Sequence, residues 1–337
     1  MLSAAVKAVE YHLPEKALDN ETLAAEFPDW NVEKIQGKTG IAVRRIAGDG
    51  ETALDLAERA ARKLFESGAA VPGEIDALIM CTQSPDYLLP PDSPILQRRL
   101  GLPRSIPAFD ITHGCSGYVY LLALAKALAE SGQARTILAL TGETYSRHIS
   151  PADRSVRTIF GDGASATLIR AEESDRPLLG PFLFDTDGRG ADNLIVPRSG
   201  AAAGSADESR FAAALADGSR TLDHLYMNGP EIFNFSMSVV PALVKRTLEA
   251  AGRTLEEVDG VIFHQANKMM LDSLRRRCGV PEEKFITHFE FCGNTVSATI
   301  PIALKTALEL GRVGPGQELL IAGFGVGYSS AAGFLRL

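Results

Sequence analysis

The chain has 337 residues, 45% hydrophobic and 23% charged, with a formal net charge of −8. That length suits two packed halves of an α/β core, and the acidic balance excludes a nucleic-acid binder, which needs a clustered basic surface against phosphate. Cys81, Cys115, Cys278 and Cys292 have neither CxxC nor metal-finger spacing, so the expectation is a reducing, cytoplasmic setting without disulfide staples or a metal site.

In chain order, MLSAAVKAVEYHLP reads as a first strand stopped by a proline and lacks the features of a signal peptide. Helical patterns over 52–67, 116–131, 233–251, 269–278 and 298–310 alternate with apolar, strand-like runs over 77–81, 136–141, 165–169, 261–264 and 319–322. Such alternation predicts layered sheets with helices on their faces. Gly68, Gly132, Gly252 and Gly279 follow helical stretches and offer left-handed caps. The longest apolar run, 118–125, is cut by Lys126 and is too short to span a bilayer, so no membrane partner is expected. Residues 198–223 turn to Ala, Gly, Ser, Asp and Glu with one short helical stretch at 211–215, which reads as an inserted loop, either a lid or binding surface or a loop without a role.

The second half repeats the first. Ile75-Asp76-Ala77-Leu78-Ile79-Met80-Cys81 matches Val258-Asp259-Gly260-Val261-Ile262-Phe263-His264, and Gly114-Cys115-Ser116 matches Gly293-Asn294-Thr295, each before a long apolar helix. The halves divide near residue 173, giving 1–173 with the cysteine and 174–337 with the histidine and asparagine. The repeat puts Cys115 and Asn294 at equivalent helix starts and His264 at a strand end. Cys115 at the positive end of a helix dipole is expected to have a stabilised thiolate, although a cysteine beside Gly and Ser also suits a small core position. His264 reads as a reactive or a hydrogen-bonded structural residue, and Asn294 as a donor, a helix N-cap, or both through different atoms.

Several ordered motifs together carry a resemblance: Thr39-Gly40-Ile41 followed by Arg45-Ile46-Ala47, Asp153-Arg154 leading to Phe160-Gly161-Asp162-Gly163-Ala164, His264-Gln265-Ala266-Asn267, and Gly293-Asn294-Thr295. From about residue 5 to the C-terminus the chain resembles the β-ketoacyl-acyl-carrier-protein synthase III family. The resemblance implies the thiolase fold, in which duplicated βαβ-rich halves form a five-layered α-β-α-β-α sandwich, and a homodimer. It implies Cys115, His264 and Asn294 as a catalytic triad, with an acyl group carried on Cys115 and a malonyl thioester condensed onto it with loss of carbon dioxide. CoA or phosphopantetheine thioesters are then substrates, and no bound cofactor is required.

In the same family the loop Gly323-Phe324-Gly325-Val326-Gly327 lies against the nucleophile and supplies part of the oxyanion hole, with Val326 here where many relatives have glycine. Leu89 sits where an aromatic often limits the acyl pocket across the dimer contact, so it reads as an acyl-pocket residue or as core. Arg154, Asn267 and Lys268 join the substrate-binding candidates, with Arg275-Arg276-Arg277 either part of a basic rim for an acidic acyl carrier protein or a solvated helix face. The chain departs from the family where a tryptophan and an arginine usually hold the CoA adenine: Lys34 and Lys38 stand there, and Met269 replaces a nearby arginine, which leaves acetyl-CoA priming unsupported.

Three other readings compete. A thiolase-fold acyltransferase would pass the acyl group to a hydroxyl or amine, and retention of Asn294 argues against it. A plant-type polyketide synthase has a similar loop and triad but a longer chain. A noncatalytic partner of a carrier protein would be expected to lose at least one of the three reactive residues.

Overall fold

The computed structural model describes residues 1–27 and 30–337. Two five-stranded sheets repeat one topology. The first comprises β1 (Leu2–His12), β2 (Ala77–Cys81), β3 (Ala108–Ile111), β4 (Thr136–Glu143) and β5 (Gly163–Glu173), in the spatial order β1-β5-β4-β2-β3. The second comprises β6 (Leu179–Thr186), β7 (Gly260–Phe263), β8 (Phe285–Ile286), β9 (Glu318–Gly325) and β10 (Ser329–Arg336), in the order β6-β10-β9-β7-β8. In each sheet the third strand and its two neighbours toward the short edge run parallel, while the two strands on the other side are antiparallel.

Helices fill three layers: α1 (Ala53–Glu66), α2 (Gly117–Glu130), α3 (Gly229–Ala251), α4 (Lys268–Arg277) and α5 (Thr299–Glu309). Strand alternation decides which layer each side chain joins. Ala77, Ile79 and Cys81 face α2 and α5, together with Ile262, Leu319 and Ile321 from the second sheet. Leu78 and Met80 face outward to α1, whereas Val261, Phe263 and Leu320 face α3 and α4. The result is a five-layered α-β-α-β-α sandwich.

Since α2 lies between two sheets, it must be apolar nearly all round, and Tyr118, Val119, Leu121 and Leu122 are all fully buried. Burying each of the aliphatic side chains stabilises the fold by roughly 1.5–3 kcal/mol. The same helix carries the nucleophile candidate at its head, so the central layer sets the site's position.

Helix starts are fixed by local capping. Thr52 and Asp55 form a capping box at α1, with the Thr52 hydroxyl accepting from Asp55 N at 3.2 Å and the Asp55 carboxylate from Thr52 N at 3.1 Å. Helix α3 begins at Gly229 rather than at 233, because Pro230 in the first turn needs no hydrogen-bonding N–H and Asn228 caps Glu231 N at 3.4 Å. Residues 198–223 hold short helical turns at Gly200–Ser205, Glu208–Phe211 and Ala212–Leu215.

Candidate active site

The turn Gly114-Cys115-Ser116 leads directly into α2, with Gly117 N donating to Gly114 O at 2.8 Å. The Ser116 and Ser329 hydroxyls, 2.8 Å apart, tie the turn to the start of β10. Against it lies the end of β9. A Cβ added at Gly325 would sit 2.8 Å from Cys115 Sγ, and one at Gly323 would sit 2.6 Å from Cys115 O, so only glycine allows this close approach. The N–H groups of Val326 and of Cys115 itself are aimed at the sulfur. Two backbone donors converging there can serve an oxyanion.

Cys115 is only 5% exposed, and burial pushes its thiol up to about 12 against the pull of those two N–H groups. Burial therefore opposes the thiolate expected from the helix dipole, and among the described residues no cation offsets it.

His264 continues β7, donating its N–H to Ala322 O at 2.8 Å, and is 2% exposed. Burial lowers its imidazole to about 3, so it is neutral at physiological pH. Nδ1 lies 2.8 Å from the Thr299 hydroxyl, whose other neighbour is Val296 O at 3.0 Å. With the hydroxyl proton given to Val296 O, the Thr299 oxygen accepts from Nδ1–H and Nε2 faces the cavity as an acceptor; given instead to Nδ1, it leaves the ring proton on Nε2, the tautomer that can donate to an oxyanion.

Asn294 is held by backbone bonds to the Phe160-Gly161 segment: its N–H donates to Ile159 O at 2.9 Å, and its carbonyl accepts from Gly161 N at 3.0 Å. A Cβ at Gly161 would meet Cys292 O at 2.1 Å, which explains the glycine of that motif. Asn294 Oδ1 accepts from Val296 N at 2.9 Å, leaving the amide nitrogen 3.5 Å from His264 Nε2. Asn294 thus caps a turn with one atom and offers a donor with the other. Its match to Cys115 is displaced, however. Cys115 stands two residues before α2, whereas Val296–Ala298 forms a 3-10 turn between Asn294 and α5, with Val296 at φ 55°.

Cys115, His264, Asn294, Asn267 and Phe324 line one cavity of about 680 Å³. Asn267 also caps α4, accepting from Met270 N at 3.0 Å. Val326 lines a smaller adjoining cavity of about 270 Å³, which shares Leu194 with the first. Arg154 lies at the outer mouth in a second large cavity of about 670 Å³, its guanidinium carbon 5.1 Å from the Phe27 ring centroid. Lys268 and Leu89 are not brought to the site within this chain. Lys268 faces a separate groove and pairs with Asp272 at 2.5 Å, because the first turn of α4 points it away from β7, and Leu89 is 82% exposed on the loop after β2.

Four residues around the site had no local sequence signal. Trp30 and Phe27 line the outer cavity beside Arg154 and Lys38, supplying an aromatic at a position displaced from the family's usual tryptophan. Arg220, from the insertion, lines both large cavities and pairs with Asp153 at 3.0 Å, the two being 11% and 1% exposed. Glu143, fully buried at the end of β4, accepts from Gln83 N at 3.1 Å, Ser84 Oγ at 3.0 Å and Ser297 Oγ at 2.7 Å, and so braces the turn after Asn294. Burial raises it to about 8. Because the folded chain then holds a proton that the unfolded chain releases above about pH 4.5, stability falls as pH rises from there toward 8. Glu143→Gln keeps an acceptor and removes the titration, so a series of thermal midpoints against pH should show a flatter decline in the variant than in the native protein.

A buried cysteine at a helix head, with a histidine and an asparagine from the duplicated half on the same cavity, defines a thiolase-fold acyl-transfer enzyme. Family comparison agrees: residues 109–188 match the 3-oxoacyl-[acyl-carrier-protein] synthase III family and residues 248–337 its C-terminal family. The chain is 36% identical over 325 residues to β-ketoacyl-[acyl-carrier-protein] synthase III 3 of Streptomyces coelicolor, covering 96% of this chain and 94% of the relative. Among solved structures, a 3-oxoacyl-(acyl-carrier-protein) synthase III superposes with a TM-score of 0.94 at 49% identity, covering 99% and 100% of the two chains. The priming β-ketosynthase of the R1128 polyketide pathway does so at 0.86 and 31%, covering 99% and 96%. The chain belongs to the β-ketoacyl-acyl-carrier-protein synthase III family, and it is a condensing enzyme of the thiolase fold.

Proposed function

We propose that Cys115 carries the acyl group and that His264 and Asn294 stabilise the enolate of a malonyl thioester. The observation that carries this reading is the convergence of the three side chains on one cavity, with Gly325 packed on the sulfur. In the first half-reaction Sγ attacks the acyl thioester carbonyl, Cys115 N and Val326 N receive the oxyanion, and the thiol proton leaves on the departing thiol. In the second, the malonyl carboxylate departs as carbon dioxide, and its electron pair forms an enolate whose oxygen accepts from Asn294 Nδ2–H and, in the tautomer with Thr299 donating to Nδ1, from His264 Nε2–H. The enolate carbon attacks the acyl carbonyl, the carbon–sulfur bond to Cys115 breaks with its electron pair on sulfur, which takes a proton from solvent to restore the thiol, and a β-ketoacyl thioester is released. Labelled malonyl thioester tests this: carbon dioxide release should require acylated Cys115, and release at an equal rate from Cys115→Ala supplied with the same acyl donor would contradict it.

A pantetheine arm would occupy the 680 Å³ cavity, with the outer cavity available to a nucleotide or to a carrier protein's approach. The aromatic and cationic lining of Phe27, Trp30 and Arg154 suits an adenine ring and its phosphates. Trp30→Ala should raise the KM for acyl-CoA about ten-fold, in line with the roughly 1–3 kcal/mol of base stacking on an aromatic. The KM for an N-acetylcysteamine thioester, which lacks the nucleotide, should stay unchanged, as steady-state kinetics on both donors will show. An acidic acyl carrier protein is the expected malonyl donor. Tyr87, Leu88 and Leu89 form an exposed apolar loop, Leu88 being 87% exposed, which supports a homodimer in which this loop is covered by the second subunit. Among the described residues no helix is long and apolar enough to cross a membrane.

A further inference from the structure

We propose that the small cavity behind Val326 selects short acyl groups bearing a neutral hydrogen-bonding oxygen, a hydroxyl or keto substituent, over plain alkyl chains, with Gln83 and His148 as the specificity-determining residues. The inference rests on the assignment of Cys115 as the acyl carrier and names the class of acyl group it receives.

The cavity adjoins the nucleophile. Val326, whose N–H faces Cys115 Sγ, forms one wall, and Leu194 is common to this cavity and the 680 Å³ cleft. A Cβ at Gly114, the residue before the nucleophile, would touch Gln83 Oε1 at 2.4 Å and Val326 Cγ1 at 2.8 Å. An acyl substituent on Cys115 directed past Val326 therefore enters beside Gln83.

Its lining is mixed. Leu194, Val196 and Leu225 supply apolar walls, and Gln83, Tyr145 and His148 supply polar atoms. The Tyr145 hydroxyl donates to Gln83 Oε1 at 2.7 Å, which fixes the amide and leaves its nitrogen with no hydrogen-bond partner among the described residues. His148 meets the Tyr145 ring edge-on at a centroid distance of 6.0 Å, and its imidazole has no hydrogen-bond partner there either. A hydroxyl can accept from the Gln83 amide and donate to or accept from the imidazole. An alkyl group would desolvate both and pair neither, and a site with unpaired polar groups rejects the analogue that lacks the matching oxygen. Among the described residues no Lys or Arg lines the cavity, so a carboxylate-tipped acyl group would be buried there without a cationic partner and is disfavoured.

The test compares butanoyl-CoA with 3-hydroxybutanoyl-CoA, equal in chain length, by the rate of Cys115 acylation in intact-protein mass spectra. The native enzyme should take the hydroxyacyl donor about ten-fold faster or more, and Gln83→Leu should reduce that ratio at least ten-fold. His148→Phe provides an independent reduction if Gln83→Leu misfolds. Equal rates in the native enzyme, or a ratio unchanged in both variants, would overturn the specificity proposal and leave the condensing role standing. Failure of every acyl donor, whatever its substituent, to modify Cys115 would overturn the underlying role and this proposal with it.

Discussion

Asn294→Asp should cut malonyl decarboxylation by about 10²–10³-fold while Cys115 still acylates within about two-fold of the native rate, because one donor to a developing oxyanion contributes roughly that factor. The substitution separates the residue's two tasks. An aspartate oxygen can still accept from Val296 N, as Oδ1 does at 2.9 Å, so the turn before α5 keeps its cap. What disappears is the amide N–H2 on the cavity side, and the added negative charge opposes the enolate. Asn294→Ala should lose the donor and the cap together, with an additional stability loss of about 0.5–2 kcal/mol, visible as a lower thermal midpoint. Rapid-quench kinetics that resolve acylation from carbon dioxide release distinguish the two variants. Equal slowing of both half-reactions in Asn294→Asp would mean that the residue serves the fold or the acylation step.

Gly325→Ala should slow acylation about 100-fold or more. A methyl group there would lie 2.8 Å from both Cβ and Sγ of Cys115, a separation that real side chains do not tolerate. Either the thiol rotates out of line with the two N–H donors, or the end of β9 retreats and takes Val326 N with it. Both movements spoil the oxyanion frame, and an error of about an ångström in such a frame is worth orders of magnitude in rate. The β9–β10 ladder is paired on both flanks, so the sheet should survive, with far-ultraviolet circular dichroism unchanged. Native-like acylation by a folded Gly325→Ala would show that the loop does not shape the nucleophile's surroundings.

How much of this was legible in the sequence depended on whether a signal was local. The run over 77–81 coincides with β2, and the apolar pattern of 116–131 matches α2 because a helix between two sheets has little polar face to show. The glycine at 252 caps α3 at φ 63° as its position suggests. The repeat also carried the site's outline, since strand ends and helix heads in the two halves face one another. Its limits appear where the halves diverge: the 3-10 turn after Asn294 displaces that residue from the Cys115 position, and no periodicity distinguishes such a turn from a helix start. Glu143, Trp30 and Arg220 were illegible for another reason. Each acts through neighbours far away in the chain, as with Glu143 and Ser297 or Arg220 and Asp153. Buried Arg44 is similar, its guanidinium held by carbonyl oxygens of Thr158 and Ile41 and by Asn20 Oδ1, with no salt bridge among the described residues. For the Cys115 thiol, the dipole at a helix head is visible in sequence, while the depth of burial that opposes it is not.

The central claim is that Cys115 holds the acyl group and yields it to a malonyl-derived carbanion. Intact-protein mass spectrometry tests it most directly, with acyl-CoA and acyl-carrier-protein donors followed by a malonyl thioester chase. The native protein should gain one acyl mass, absent in Cys115→Ala, and lose it on the chase as a β-ketoacyl thioester appears. An adduct that persists through the chase, or one that forms equally in Cys115→Ala, would contradict the account.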